Sequence, residues 1–151
     1  MTTDATTPPA TPPLAPDRLA VDECWELLLR SGLGRLATAA DGKADIFPVN
    51  YLVWDKTILF RTAPGSKLEQ VLSDRNVAFE VDGHDSQRYW SVVMHGTARV
   101  LDDDRVIIRS GVLELASWTP TEKRNFVQII PSEVTGVHVD RAKFGRTSLF
   151  G

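Results

Sequence analysis

Several stretches of the chain alternate apolar and polar positions with a period of two, and short stretches of helical period lie between them. In the first of these, Cys24, Leu27 and Leu28 fall at i, i+3 and i+4, which predicts an amphipathic helix from Ala20 or Val21 to about Arg30. Asp22 and Glu23 suit its N-terminal end, and Gly32 is a natural stop. Gly34 to Ala39 then reads as a strand, Asp41-Gly42 as a tight turn, and Ala44 to Tyr51 as the returning strand. Pro48 inside that strand implies an edge position or a bulge. Asp55-Lys56 turns the chain into a third strand, Thr57 to Thr62, which completes an antiparallel meander.

A short helix follows at about Ser66 to Ser73. Val77, Phe79 and Val81 alternate with Ala78, Glu80 and Asp82 as a half-buried strand, and Gly83 to Gln87 reads as a polar loop. Tyr89 to Leu101 is the longest strand candidate, with Trp90, Val92, Met94 and Gly96 on one face. Gly96 signals a bulge or a close backbone approach. Asp102-Asp103-Asp104 can cap a helix from about Arg105 to Ala116. Phe126 to Ile130 and Val134 to Val139 read as closing strands interrupted by Pro131. Six or seven strands with three interspersed helices predict a mainly β fold: a small antiparallel barrel with flanking helices. The strands do not alternate regularly with helices, and no GxGxxG follows a strand, which disfavours a Rossmann fold.

Composition narrows the function. The 151 residues carry 42% hydrophobic and 25% charged side chains, ordinary globular values that suit one domain at 17–151. Residues 1–16 hold five of the nine prolines and five threonines, so they read as a disordered tail or linker. Net charge is −3 with scattered Lys and Arg, which argues against a general nucleic-acid binder. No apolar run approaches a membrane span, and the N-terminus lacks the apolar core of a secretory signal, so the cytosol is the expected compartment. His84, His95 and His138 are far apart, which speaks against a structural zinc site. Cys24, the one cysteine, reads as a buried inert thiol.

The candidate chemistry lies in Phe60-Arg61-Thr62-Ala63-Pro64-Gly65-Ser66-Lys67. A helix that opens at Gly65-Ser66 presents unpaired N–H groups and the positive end of its dipole. Arg61 can grip a phosphate bidentately, Lys67 adds a point charge, and Thr62 and Ser66 offer hydroxyl donors. Together these suit a phosphate monoester. The plainer alternative is a common strand–turn–helix junction with solvated cations. The segment is not a Walker A loop, because the glycine spacing is wrong. Tyr51, Trp54 and Trp90 are each readable as ring-stacking groups or as core, and Trp25 and Trp118 as packing or dimer residues on helices.

Gly34-Arg35-Leu36-Ala37, Pro48-Val49-Asn50-Tyr51, the Phe60 to Leu68 segment, Val77 to Asp82 and Trp90 to Ala98 occur in the order and spacing of the pyridoxamine 5′-phosphate oxidase-like family, which the chain resembles from about Leu19 to Val139. The resemblance implies a split β-barrel that dimerises, with a flavin nucleotide, usually FMN, at the subunit interface. It assigns Arg61, Thr62, Ser66 and Lys67 to the phosphate. It lays the isoalloxazine ring along Pro48, Val49, Asn50 and Tyr51, with Trp90 and Ser91 contributing from the neighbouring part of the site. It implies an oxidoreductase acting on a small molecule, without fixing catalytic residues or substrate. Relatives of this kind also use the deazaflavin F420 or haem, so an F420-dependent reductase and a non-catalytic binding module are the alternatives. The Arg-x-His segment of the oxidases proper is missing near Phe144-Gly145-Arg146, which weighs against vitamin B6 oxidation.

Overall fold

The computed structural model of the protein describes Thr7 and residues 16–116 and 125–144. The rest of the predicted tail, Trp118 and Arg146 lie outside the described residues. In chain order the elements are β1 (Asp17–Arg18), α1 (Val21–Arg30), β2 (Leu33–Ala40), β3 (Lys43–Asn50), β4 (Leu52–Trp54), β5 (Thr57–Thr62), α2 (Ser66–Ser73), β6 (Asn76–His84) and β7 (Arg88–Val100). They continue with α3 (Asp104–Ser110), a 3-10 turn (Val112–Glu114), β8 (Asn125–Asp140) and α4 (Arg141–Phe144).

All strand pairs are antiparallel, in the order β3-β2-β6-β7-β8-β5-β4, with β1 added to β8. The two ends of this path, β3 and β4, are separated in sequence by Tyr51 alone. The chain therefore carries one end of the sheet into the other and curls it into a split barrel. β3 ends the path, which explains how it tolerates Pro48. Asp41 and Gly42 (φ 51° and 75°) and Asp55 and Lys56 (φ 46° and 51°) form the two tight turns, whose positive-φ conformation matches the right-handed twist of the strands they join.

The barrel interior is filled by one parity of each strand: Leu36, Val49, Ile58, Phe60, Phe79, Val81, Val92, Met94 and Ile129 are all buried. α1 plugs the interior with Cys24, Trp25, Leu27 and Leu28, so Trp25 is a core residue. Burial pushes the Cys24 thiol above its ordinary range, in keeping with an inert group. A second cluster lies outside the barrel wall, where Leu59, Leu101, Ile107 and Val112 are buried together and Leu52, Trp54 and Phe126 pack on them.

Four expectations need correction. β8, at 16 residues, is longer than β7 and runs unbroken through Pro131. It does so by a bulge of its own: His95 pairs with Glu133 and Gly96 with Pro131, so Ser132 is an extra residue in β8 next to the proline. A Cβ on Gly96 would stand 2.4 Å from the Ile130 carbonyl oxygen, so the close approach read from the sequence is real. Gly83 and His84 belong to β6 rather than to the loop, since they stay in register with Trp90 and Tyr89. The helix capped by Asp103, whose side chain accepts from the Arg105 and Val106 N–H groups, stops at Ser110. Gly111 at φ 81° ends it far short of Ala116.

Candidate functional site

The site is built at the seam where β3 passes into β4 and β5 runs into α2. β5 alternates Ile58 and Phe60 into the barrel with Leu59 and Arg61 onto its outer wall. Arg61 is half-buried there. Its Nη1 donates to the Leu113 carbonyl at 2.7 Å and to the Leu115 carbonyl at 3.3 Å. On β3, Asn50 Nδ2 donates to the Ala116 carbonyl at 3.0 Å. Two residues from separate strands thus hold one strap of backbone, 113–116.

Thr62 is buried and its hydroxyl donates to the Ala63 carbonyl at 3.2 Å, so this side chain shapes the turn. Gly65 caps α2 with φ 154°, a conformation that L side chains rarely adopt. Ser66 and Lys67 form the first turn of α2, where N–H groups lack intrahelical acceptors. Lys67 Nζ stands 5.4 Å from the centre of the Phe47 ring, which brings the helix start beside the strand that carries Pro48.

Along that strand the faces divide. Pro48 is exposed, Asn50 half-buried, and Val49 and Tyr51 are buried. The Tyr51 ring sits edge-on to Phe79 with centroids 5.0 Å apart, and its hydroxyl donates to the Leu28 carbonyl at 2.7 Å. Burial raises its pKa to about 12. The Tyr51 side chain is therefore core, and its backbone N–H donates to the Gly32 carbonyl at 3.0 Å. Trp54 likewise packs on the outer cluster.

Trp90 and Ser91 lie elsewhere, three strands from β3 along the sheet path. Trp90 packs on the core and over Gly83, and Ser91 pairs across to Asp82 and Val137. Both line a cleft of about 200 Å³ with Tyr89, Val137, His138 and Val139. His138 also borders a larger cleft, about 540 Å³, with Asp17, Gln87, Arg88, Asp140 and Lys143. Neither cleft is lined by Arg61 or Lys67. Within one chain the structure gathers Asn50 and Arg61 on one strap and sets Lys67 beside β3. It leaves Trp90 and Ser91 apart from them.

Sequence reasoning passed over two groups near the site. One is Gln70, whose carboxamide meets Thr38 and Asp45. The other is Arg35, whose Nη1 donates to Glu80 at 2.9 Å and Asp82 at 2.8 Å on the outer face beside Pro48. Burial first, then the hydrogen bond with Asp82, raises the Glu80 pKa, whereas the hydrogen bond from Glu80 lowers that of Asp82. Among the described residues, no group of three or more His, Cys, Asp or Glu could hold a metal ion, and no helix is long and apolar enough to cross a membrane.

A family model described as pyridoxamine 5′-phosphate oxidase matches residues 20–138, and the chain belongs to that family. The fold is that of its split-barrel members. A "putative pyridoxamine 5′-phosphate oxidase" of Corynebacterium glutamicum is 36% identical, with TM-score 0.74 over 83% of this chain and 99% of that one. An FAD-binding protein of Mycobacterium smegmatis is also 36% identical, with TM-score 0.69 over 82% of this chain and 98% of its own. An uncharacterized protein of Mycobacterium tuberculosis strain H37Rv is 41% identical over 87 residues, which is 58% of this chain and 79% of that protein.

Proposed function

We propose that the chain binds a flavin nucleotide, with the phosphate at the β5–α2 junction and the ring along the backbone of Pro48 to Tyr51. The observation that supports this reading is that Arg61 and Asn50 hold one strap of backbone while Lys67, on the first turn of α2, stands beside Phe47 of β3. A guanidinium from a strand end and an ammonium on a helix's first turn flank a Pro64-Gly65 turn, and an anion there gains from both charges and from the helix dipole. Ser66 contributes through its place in that first turn, and Thr62 by fixing the turn behind it. FMN and FAD carry the same ring and the same first phosphate, so the cradle serves either. The M. smegmatis relative supports FAD as a candidate beside FMN.

Bound flavin would supply the electron-accepting chemistry, which is why the chain needs no nucleophile–base pair of its own. Its residues bind, orient and shield. The reading is an oxidoreductase acting on a small molecule, assembled as a homodimer. In the proposed dimer, the Trp90–Ser91 cleft of a second copy would complete the site. The exposed outer face of β3, with Ile46 68% exposed, supports such an assembly.

The test is an absorbance spectrum of the protein as purified, followed by anaerobic titration with FMN, FAD and F420. A flavin spectrum or saturable flavin binding, bleached by NADH or NADPH, supports the reading. Saturable binding of F420 with none of FMN or FAD replaces it with the deazaflavin alternative. A haem spectrum, or no binding of any of the three, overturns it.

A further inference from the structure

The two halves of the proposed site, α2 and β3, are separate elements, and one carboxamide joins them. In the β2–β3 hairpin Thr38 pairs directly across from Asp45. Gln70, on the turn of α2 that follows Lys67, straddles this pair. The buried Thr38 hydroxyl donates to Gln70 Oε1, and Gln70 Nε2 donates to Asp45 Oδ2 at 2.6 Å. The carboxamide is used once as acceptor and once as donor, so its orientation is fixed by its partners. Val71 beside it is 1% exposed and anchors the same helix apolarly, but the hydrophobic contact is non-directional. A two-point polar bridge is directional.

We infer that Gln70 is a positioning residue for the flavin site: its bridge to Thr38 and Asp45 sets α2, with Ser66 and Lys67, at a fixed distance from the β3 strand of Pro48 to Asn50. The Lys67 ammonium over Phe47 is a consequence of that setting. A nucleotide that spans both elements needs this spacing, because its phosphate and its ring are joined by a ribityl chain of fixed reach. The inference rests on the proposed phosphate and ring positions, and it adds the device that aligns them.

The experiment compares FMN with riboflavin, which has the ring but no phosphate, by fluorescence titration of wild type and variants checked for fold by circular dichroism. Gln70→Leu removes both polar contacts and is expected to weaken FMN roughly tenfold while riboflavin shifts by less than about twofold. Gln70→Glu sets a carboxylate oxygen against Asp45 and should behave likewise. Pairing it with Asp45→Asn restores an N–H donor between the two positions at unchanged net charge, and FMN affinity should return. A merely structural role would lower FMN and riboflavin binding together and would not be rescued by the exchange. An unchanged FMN-to-riboflavin ratio in Gln70→Leu, or no recovery in the double variant, overturns the inference alone. A wild type that fails to prefer FMN overturns the proposed phosphate site, and this inference with it.

Discussion

The outer wall of the barrel has two halves that the chain finishes differently. Over β4 and β5 it is covered: Leu59 is fully buried, and Leu52 and Trp54 pack beneath α3 and the 3-10 turn. Over β3, β2, β6 and β7 it is bare, with Ile46 and Pro48 exposed and Arg35 bridging Glu80 and Asp82 across the strands. Both halves show the same alternation in sequence, and what separates them is whether a later segment returns to cover the wall. The candidate site lies on the boundary. Asn50 and Arg61 grip the edge of the cover, at carbonyls 113 to 116, and Pro48 begins the open face. The proposed site has one wall built by its own chain, and the proposed dimer would bring a second copy to the other side.

Ile46→Asp places a charge at the centre of the open face without touching the core, and the expected result is a shift from dimer to monomer by light scattering with the fold retained. A dimer unaffected by it would move the interface elsewhere. At the seam, Arg61→Ala should weaken FMN binding by about 2 kcal/mol, roughly thirtyfold, as the loss of a charge-assisted contact. An undiminished calorimetric titration would remove Arg61 from the cradle.

Tyr51 joins the two halves, and the structure makes it a core residue. Tyr51→Phe leaves the Leu28 carbonyl without its donor and should lower stability in urea by about 1–2 kcal/mol, with FMN affinity unchanged. A change in affinity without a change in stability would give its hydroxyl a ligand-facing role. The smallest effect belongs to the bare face. The Glu80 pKa is raised on folding, so its contribution to stability is fully present below the unfolded carboxyl pKa and is lost as pH rises through the folded value. Glu80→Gln is therefore expected to match or exceed wild-type stability at pH 7, with the advantage shrinking toward pH 4. Asp82→Asn should do the reverse, because the Asp82 pKa is lowered on folding. Identical pH profiles for both variants would contradict the division of charge between the two carboxyls.

Much of this fold was legible before the structure. The Asp41-Gly42 and Asp55-Lys56 turns fix hairpin registers locally, and even the Thr38–Asp45 pair follows from the first of them. The Arg61 to Lys67 segment is contiguous, so its strand, turn and helix could be placed by local signals alone. Contacts that depend on docking could not. Gln70 meets its partners only because α2 lies across β2 and β3, and Arg61 meets carbonyls fifty residues later only because the 3-10 turn packs Val112 against the wall. The early stop of α3 lies at Gly111, a glycine in the left-handed region inside the stretch read as helix. The continuity of β8 through Pro131 was hidden because it depends on pairing with β7, which absorbs the proline with a bulge at Ser132.

The proposed function places a phosphate, joined to a flavin ring, at the β5–α2 junction. It is tested most directly by titrating the wild-type protein with FMN and riboflavin side by side. The account predicts that FMN binds tighter by roughly tenfold or more, the value of one or two charge-assisted phosphate contacts. Equal affinities for the two would contradict it.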